Sequence, residues 1–210
     1  MPPPGSSPRP LPAPLVGARA GALEPKASPG MSVGQLGLLL VLASISVLFV
    51  ATALAVIITH AQAPAEARAA EGAVPWGVVG SSVFLAALSY CLHCALLAVR
   101  RNLLSRCLQQ LSRAGGLALA FLAAQTLNLG HLAALEAGQK SSFAVAFVLL
   151  VGIHALHVIG GLVPLGLVLL KVHRREYSSS RHEGLRLCAQ YWHYLGVVWL
   201  FLLATLVWVR

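Results

Sequence analysis

Five histidines and a pair of cysteines lie in strongly apolar segments, where they are the side chains best suited to chemistry. The histidines are His93, His131, His154, His157 and His193, and Tyr90 and Asn128 are polar residues in the same segments. Ionisable side chains are costly to bury in a membrane, so each is a functional candidate by default. No carboxylate or lysine lies well inside any of these segments, which argues against a proton-coupled transporter and a charge-lined channel.

His154 and His157 are three residues apart, about 60° around a helix, so both side chains point the same way. One interpretation is a pair of metal ligands. The other is two histidines that hydrogen-bond between helices, where Gly160 and Gly161 allow a close approach. The second is favoured because no third ligand of suitable spacing is present.

A haem site is a further alternative, since two histidines on facing helices, such as His93 and His154, can serve as axial ligands. Cys91 and Cys94 have the spacing of metal and redox motifs. A c-type haem motif needs histidine directly after the second cysteine, where this chain has Ala95. Cysteine is also a small packing residue in buried helices, which is the favoured interpretation here.

These residues must be positioned by membrane helices. The 210 residues are 58% hydrophobic and 10% charged, with a mean hydropathy of +0.79. A soluble domain of this length does not bury so much apolar surface. Crossing about 30 Å of hydrocarbon takes roughly 20 residues. Five runs are long enough, at about 33–60, 76–99, 115–135, 142–170 and 187–209, and backbone hydrogen bonding in lipid requires them to be helical.

Charged residues are concentrated between these runs. Arginine and lysine are abundant before the first run, after the second and after the fourth, and sparse in the other two loops. By the positive-inside rule the N-terminus is cytoplasmic and the C-terminus lies outside. We interpret the net charge of +9 as attraction to anionic lipid rather than to nucleic acid. Residues 1–32 are rich in proline, glycine and alanine and predict a disordered tail before a helical domain at 33–210.

From residue 76 to the C-terminus, several segments resemble subunit III of the haem–copper respiratory oxidases, and they occur in the same order along the chain. Ser81-Ser82 followed by His93-Cys94-Ala95-Leu96 is similar to the family's double serine and later His-x-Ala-Leu. Phe121–Gln125 is similar to its Phe-Leu-x-x-Gln, and Gly152–Gly161 to its Gly-x-His-x-x-His-Val-x-x-Gly. The strongest match is Tyr191–Leu202, which resembles the Tyr-Trp-His segment of the last helix. The five-run length resembles the short bacterial form.

The resemblance implies a non-redox accessory subunit of a cytochrome c oxidase in the bacterial plasma membrane. It implies contacts with catalytic subunit I and subunit II, bound phospholipid, and support of assembly and sustained proton uptake. Haem and copper are expected in the partner subunits. This chain is expected to hold no cofactor, no metal and no catalytic residue. The reduction of oxygen to water then belongs to the partners. The expected packing and interface residues are His93, Gln125, Asn128, His154, His157, Tyr191, Trp192, His193 and Trp199. Those expected at lipid headgroups are Arg174, Arg175, Arg181 and Arg186.

Three positions depart from the family pattern, and each replaces a carboxylate. They are Asn128, Arg186 and Gly196. An asparagine cannot carry a proton at physiological pH, which weakens any role of these positions in proton collection. The same fold could therefore serve a quinol oxidase or a nitric oxide reductase. An independent haem-binding membrane cytochrome and a transporter are the alternatives of other classes.

Overall fold

The computed structural model describes residues 31–64, 76–135, 142–178 and 182–209, and all regular structure within them is helical. The five helices are α1 (Val33–Gln62), α2 (Trp76–Arg100), α3 (Leu104–Leu135), α4 (Ser142–His173) and α5 (Glu183–Val209). The predicted all-α membrane architecture is confirmed. The prediction of a disordered tail falls mainly on residues outside the described ranges.

Four of the five helices, α1, α2, α4 and α5, are long and apolar enough to cross a membrane. The predicted third span corresponds to α3, which is not among these four. Gln125 and Asn128 lie on α3, and the side chains at positions 129 and 131–135 of this helix lie outside the described residues. The protein is a multi-pass membrane protein, and its five helices include four candidate spans.

Helix α3 begins well before the predicted start near residue 115. Arg106 and Arg113, which the sequence placed in a loop, lie on its first turns, and only residues 101–103 separate it from α2. The buried side chains of Cys107, Leu111 and Ala114 on this early part of α3 explain the extension. Burial inside the bundle, rather than membrane thickness, accounts for where α3 starts.

The turns after α2 and α4 share one geometry. Asn102 and Arg175 have positive φ angles of 55° and 58°, a conformation that non-glycine residues adopt uncommonly. After α2, the amide of Leu103 donates to the carbonyl of Ala98. After α4, the amide of Glu176 donates in the same way to the carbonyl of Lys171. These are Schellman ends, which satisfy the last carbonyl groups of each helix.

Helix α5 is the most enclosed part of the bundle and contacts α1, α2 and α4. In its most apolar stretch 44% of residues are buried, against 22% in α1. Its buried residues recur every three or four positions, which is the spacing of one helix face. They are Leu185, Cys188, Ala189, Trp192, Leu195, Val198, Trp199, Leu202, Thr205, Leu206 and Val209. Polar groups on this face therefore lie where several helices meet.

Candidate functional site

His154 lies in the centre of the bundle, enclosed by aromatic rings from three other helices. Its centroid is 5.9 Å from that of Phe49 on α1, 6.0 Å from Phe121 on α3 and 5.2 Å from Trp199 on α5. Only 1% of the residue is exposed. Neither ring nitrogen has a hydrogen-bond partner among the described residues. We call His154, Phe49, Phe121 and Trp199 the aromatic node.

Trp199 connects the aromatic node to the remaining helix. Its Nε1–H donates a hydrogen bond to Ser82 Oγ on α2 at 2.9 Å. Its indole meets the ring of Phe121 edge to face, at 5.2 Å and 86°, which is a favoured aromatic geometry. Side chains from all five helices therefore meet at Trp199 and His154.

His157 lies one turn further along α4 and does not share the full enclosure of His154. It is half-buried, and its Nδ1–H donates to the carbonyl oxygen of Ile153 at 2.7 Å. Its ring packs on Phe49 with centroids 5.3 Å apart. The backbone of His157 also serves α5, because the hydroxyl of Tyr191 donates to its carbonyl oxygen at 2.9 Å.

The two aromatic residues at the start of the Tyr-Trp-His segment pack on a glycine of α4. A β-carbon at Gly161 would lie 2.8 Å from Tyr191 Cε1 and 3.2 Å from Trp192 Cζ2. Trp192 is 1% exposed, and its Nε1 has no partner in the part of the chain that the structure describes. The predicted close approach at Gly161 is present, whereas Gly160 has open space around it.

His193 belongs to a different contact, between α5 and α2. Its Nδ1 lies 2.8 Å from Ser89 Oγ. His93 on α2 is exposed. Ser89, His193 and Gly196 line a groove of about 270 Å³. A β-carbon at Gly196 would meet nothing within 4 Å, so the position of the missing acid opens into this groove.

Gln125 and Asn128 join α3 to α2. The buried Gln125 donates from Nε2 to Ser81 Oγ at 2.7 Å. Asn128 lies against Gly77, where an added β-carbon would collide with the Asn128 amide. Its Nδ2 atom is buried and has no partner in the described ranges. Both residues therefore lie at the contact between α3 and α2.

Sequence reasoning did not find the contact of Tyr194 with α1. The Tyr194 hydroxyl lies 2.6 Å from Ser46 Oγ and 3.1 Å from the carbonyl oxygen of Leu42. The available signal was a hydroxyl residue in an apolar helix, a group that often hydrogen-bonds across membrane helix contacts. Ser82 and Ser89 carry the same signal.

A groove of about 330 Å³ lies beside the α4–α5 turn, and Lys171 is the basic residue on its wall. Arg174, Arg175 and Arg186 are exposed, while Arg181 lies outside the described residues. The groove wall includes Pro164, Lys171 and Tyr177. Burial is the main cause that raises the pKa of Tyr177, so this phenol stays neutral under physiological conditions.

Metal and redox chemistry has few candidate groups here. Within residues 31–64, 76–135, 142–178 and 182–209, no group of three or more His, Cys, Asp or Glu side chains is arranged to hold a metal ion. Cys91 is buried, Cys94 is half-buried, and both are free thiols. Of the five histidines in the apolar segments, His154, His157 and His193 lie at contacts between helices. His93 lies on an exposed surface, and the side chain of His131 lies outside the described part of the chain.

Comparison with known proteins gives a consistent family. The family model for cytochrome c oxidase subunit III matches residues 99–210. Cytochrome c oxidase subunit 3 of Artemia franciscana is 35% identical over 111 residues, covering 53% of this chain and 42% of that protein. The Spodoptera frugiperda protein is 38% identical over 68 residues, 32% of this chain and 46% of its own.

Cytochrome c oxidase subunit 3 of Tetraodon nigroviridis is 39% identical over 66 residues, which cover 31% of this chain and 25% of that protein. The chain thus covers less than half the length of each of these curated relatives. The family match lies over α3, α4 and α5, which carry most of the aromatic node and the whole Tyr-Trp-His segment. The chain belongs to the cytochrome c oxidase subunit III family.

Proposed function

We propose that this chain is a non-redox accessory subunit of a terminal cytochrome c oxidase. It supports assembly of the complex, binds lipid and sustains proton uptake by the catalytic subunit. Haem and copper reside in subunit I and subunit II, which also perform the reduction of oxygen to water. The aromatic node carries this proposal, because five helices converge on packed rings and direct hydrogen bonds. Such a centre serves to hold a shape rather than to turn over a substrate.

We further place the chain in the bacterial plasma membrane, with a cytoplasmic N-terminus and the C-terminus outside. The candidate membrane spans support a multi-pass membrane location, and the bacterial assignment rests on the resemblance to the short form of the family. The basic residues at the α2–α3 and α4–α5 turns support the orientation, because positive charge is retained on the cytoplasmic side.

Lipid binding is proposed at the groove beside the α4–α5 turn. Lys171 lies on its wall, and exposed Arg174, Arg175 and Arg186 are close in sequence to its lining residues. Each basic residue near an anionic membrane surface contributes about 1 kcal/mol of attraction. Arg181 is assigned to the same role from its place in the sequence.

A tagged chain purified in mild detergent tests the main proposal. Large haem–copper subunits with an a-type spectrum should co-purify with it. Trp199→Phe removes the hydrogen bond to Ser82 and part of a buried ring, so it should reduce the yield of the complex. Trp208→Phe is the matched control, because Trp208 is 74% exposed. A chain that retains haem by itself, without these partners, would contradict the proposal.

A quinol oxidase or a nitric oxide reductase is the second candidate for the partner complex. The observation that favours it is the loss of three family carboxylates at Asn128, Arg186 and Gly196. Nitric oxide consumption by the purified complex, without oxygen consumption, would identify the reductase. Oxidation of quinol but not of cytochrome c would identify the quinol oxidase.

The role in proton uptake is tested by restoring acids. Gly196→Asp has open space for its side chain, whereas Asn128→Glu must be accommodated beside Gly77. If proton supply limits turnover, either acid should slow inactivation of the oxidase during turnover. Gly196→Asn is the matched control, since it fills the same space without a titratable group. If the Asp and Asn variants are inactivated at the same rate during turnover, an acid at position 196 does not support proton uptake.

A further inference from the structure

A separate pocket of about 200 Å³ lies at the α2–α3 turn. Its basic residues are Arg101, just after α2, and Arg106 on the first turns of α3. Gln110 stands one turn after Arg106 on α3 and adds a side-chain amide to the same wall. The Schellman end at Asn102 sets the short path between the two arginines, through the hydrogen bonds described above.

Among the described residues, no acid lines this pocket to balance its charge. The described residues contain two carboxylates, Glu176 and Glu183, and neither lines the pocket. Arg101 and Arg106 are both exposed, so their guanidinium groups are accessible to an incoming anion. Guanidinium groups bind phosphate oxygens through paired hydrogen bonds, with more directional contacts than lysine offers.

The rest of the wall is apolar. Leu97 and Leu103 line the pocket and are 39% and 38% exposed. The most apolar part of α2 ends at Arg100, so the pocket lies at the end of a candidate membrane span. A ligand with a phosphate group and hydrocarbon chains matches both parts of this wall. Free phosphate would match only the basic part.

We propose that this pocket binds the phosphate group of an anionic phospholipid, with Arg101 and Arg106 on the phosphate and Leu97 and Leu103 against its first hydrocarbon groups. None of these residues belongs to the groove beside the α4–α5 turn. The proposal does not depend on the identity of the partner subunits. It gives the α2–α3 turn a lipid contact of its own.

The pocket contains its own reporter, the thiol of Cys94. Cys94 is half-buried and lines the pocket, whereas Cys91, Cys107 and Cys188 are buried. A lipid in the pocket should therefore protect Cys94 from alkylation. The full chain, purified with its partners in mild detergent, is treated with N-ethylmaleimide while phosphatidylglycerol or phosphatidylcholine is added. Labelling of Cys94 is followed by peptide mass spectrometry.

Phosphatidylglycerol should protect Cys94 at concentrations where phosphatidylcholine does not. The double variant Arg101→Gln, Arg106→Gln should weaken protection about 25-fold, because each arginine contributes about fivefold. Arg100→Gln is the matched control, because Arg100 is exposed at the end of α2 and does not line the pocket. It should leave the protection unchanged.

Three results would overturn the proposal. Equal protection by the two lipids would show that the charge of the headgroup is not recognised, and this comparison needs no variant. If Cys94 is still fully protected in the double variant, Arg101 and Arg106 do not bind the phosphate group. Protection by millimolar inorganic phosphate equal to that by phosphatidylglycerol would show a phosphate site without lipid specificity. Circular dichroism of each variant checks that a loss of protection does not come from unfolding.

Discussion

Gly161 on α4 lies directly beneath the ring of Tyr191 on α5, and a β-carbon there would approach Tyr191 Cε1 to 2.8 Å. The glycine thus allows the two helices to pack at the level where Tyr191 also donates to the carbonyl of His157. Small residues permit this kind of close approach between membrane helices.

Gly161→Ala should destabilise the protein by about 1–3 kcal/mol, because the added methyl group must displace packed aromatic rings. Thermal unfolding in detergent, followed by tryptophan fluorescence, measures the change. Gly160→Ala is the matched control, since its β-carbon would enter open space. That control should be neutral or slightly stabilising, because alanine favours a helix over glycine. Equal losses in the two variants would contradict the packing argument.

The hydrogen bond from Gln125 to Ser81 should contribute a coupling energy of about 0.6 kcal/mol, the average for such bonds between membrane helices. A double-mutant cycle with Gln125→Leu and Ser81→Ala measures it from unfolding in denaturant. A second cycle with Gln125→Leu and Ser89→Ala is the control, because Ser89 lies at hydrogen-bond distance from His193 and not from Gln125. A coupling no larger than in this control would mean that the bond adds nothing to stability.

Tyr194→Phe should weaken the contact between α5 and α1 by about 1 kcal/mol, since it removes the hydroxyl beside Ser46 and Leu42. The remaining Ser46 hydroxyl still donates to Leu42, which keeps the loss modest. Tyr90→Phe is the comparison, because Tyr90 is 70% exposed and should be less sensitive. Thermal midpoints of the two variants would decide, and a larger effect at Tyr90 would contradict the assignment.

Cys107, on the part of α3 outside the candidate spans, should resist alkylation in the folded protein. Burial raises the pKa of its thiol to about 11, so roughly one molecule in a thousand carries the thiolate at pH 8. As long as the pH is below this pKa, the labelling rate should rise about tenfold for each unit by which the pH is increased. Rapid labelling of Cys107 at pH 7 without denaturant would show that the site opens readily.

The same pKa shift predicts a dependence of stability on pH. The unfolded thiol has a pKa near 8.5, below the folded value of about 11. Stabilisation by the neutral buried thiol is therefore complete below about pH 8.5 and is lost as the pH rises toward 11. Cys107→Ala should reduce the fall in the thermal midpoint across this window. If the thermal midpoint of Cys107→Ala falls as much across this window as that of the unchanged protein, groups other than Cys107 cause the fall.

The helical architecture could be predicted from sequence because apolar length alone determines most membrane helices. The sequence also predicted a close approach of helices at Gly161, because small residues allow it, whereas the partner of Gly161 on α5 was not predicted. The start of α3 at Leu104 could not be predicted in this way. It depends on burial of Cys107 and Leu111, which is a tertiary effect that hydropathy does not measure.

The roles of the individual histidines were the least predictable part. His93, His154, His157 and His193 occur in similarly apolar surroundings in the sequence, yet only His154 is fully enclosed. The difference arises from which helix face meets Phe49, Phe121 and Trp199, and those residues are far apart along the chain. The roles of Ser82, Ser89 and Ser46 depend in the same way on partners from distant helices.

The contacts of α1 with α4 and α5 have a consequence for biogenesis. The α2–α3 pair adjoins in sequence and forms a local hairpin, but α1 packs against helices that are synthesised after that hairpin. During translation α1 must therefore wait in the membrane with its buried face, including Phe49, uncovered until α4 and α5 arrive. The aromatic node around His154 is therefore complete only once α5 supplies Trp199, and a chain that stalls before α5 leaves uncovered the face of α1 that α5 contacts.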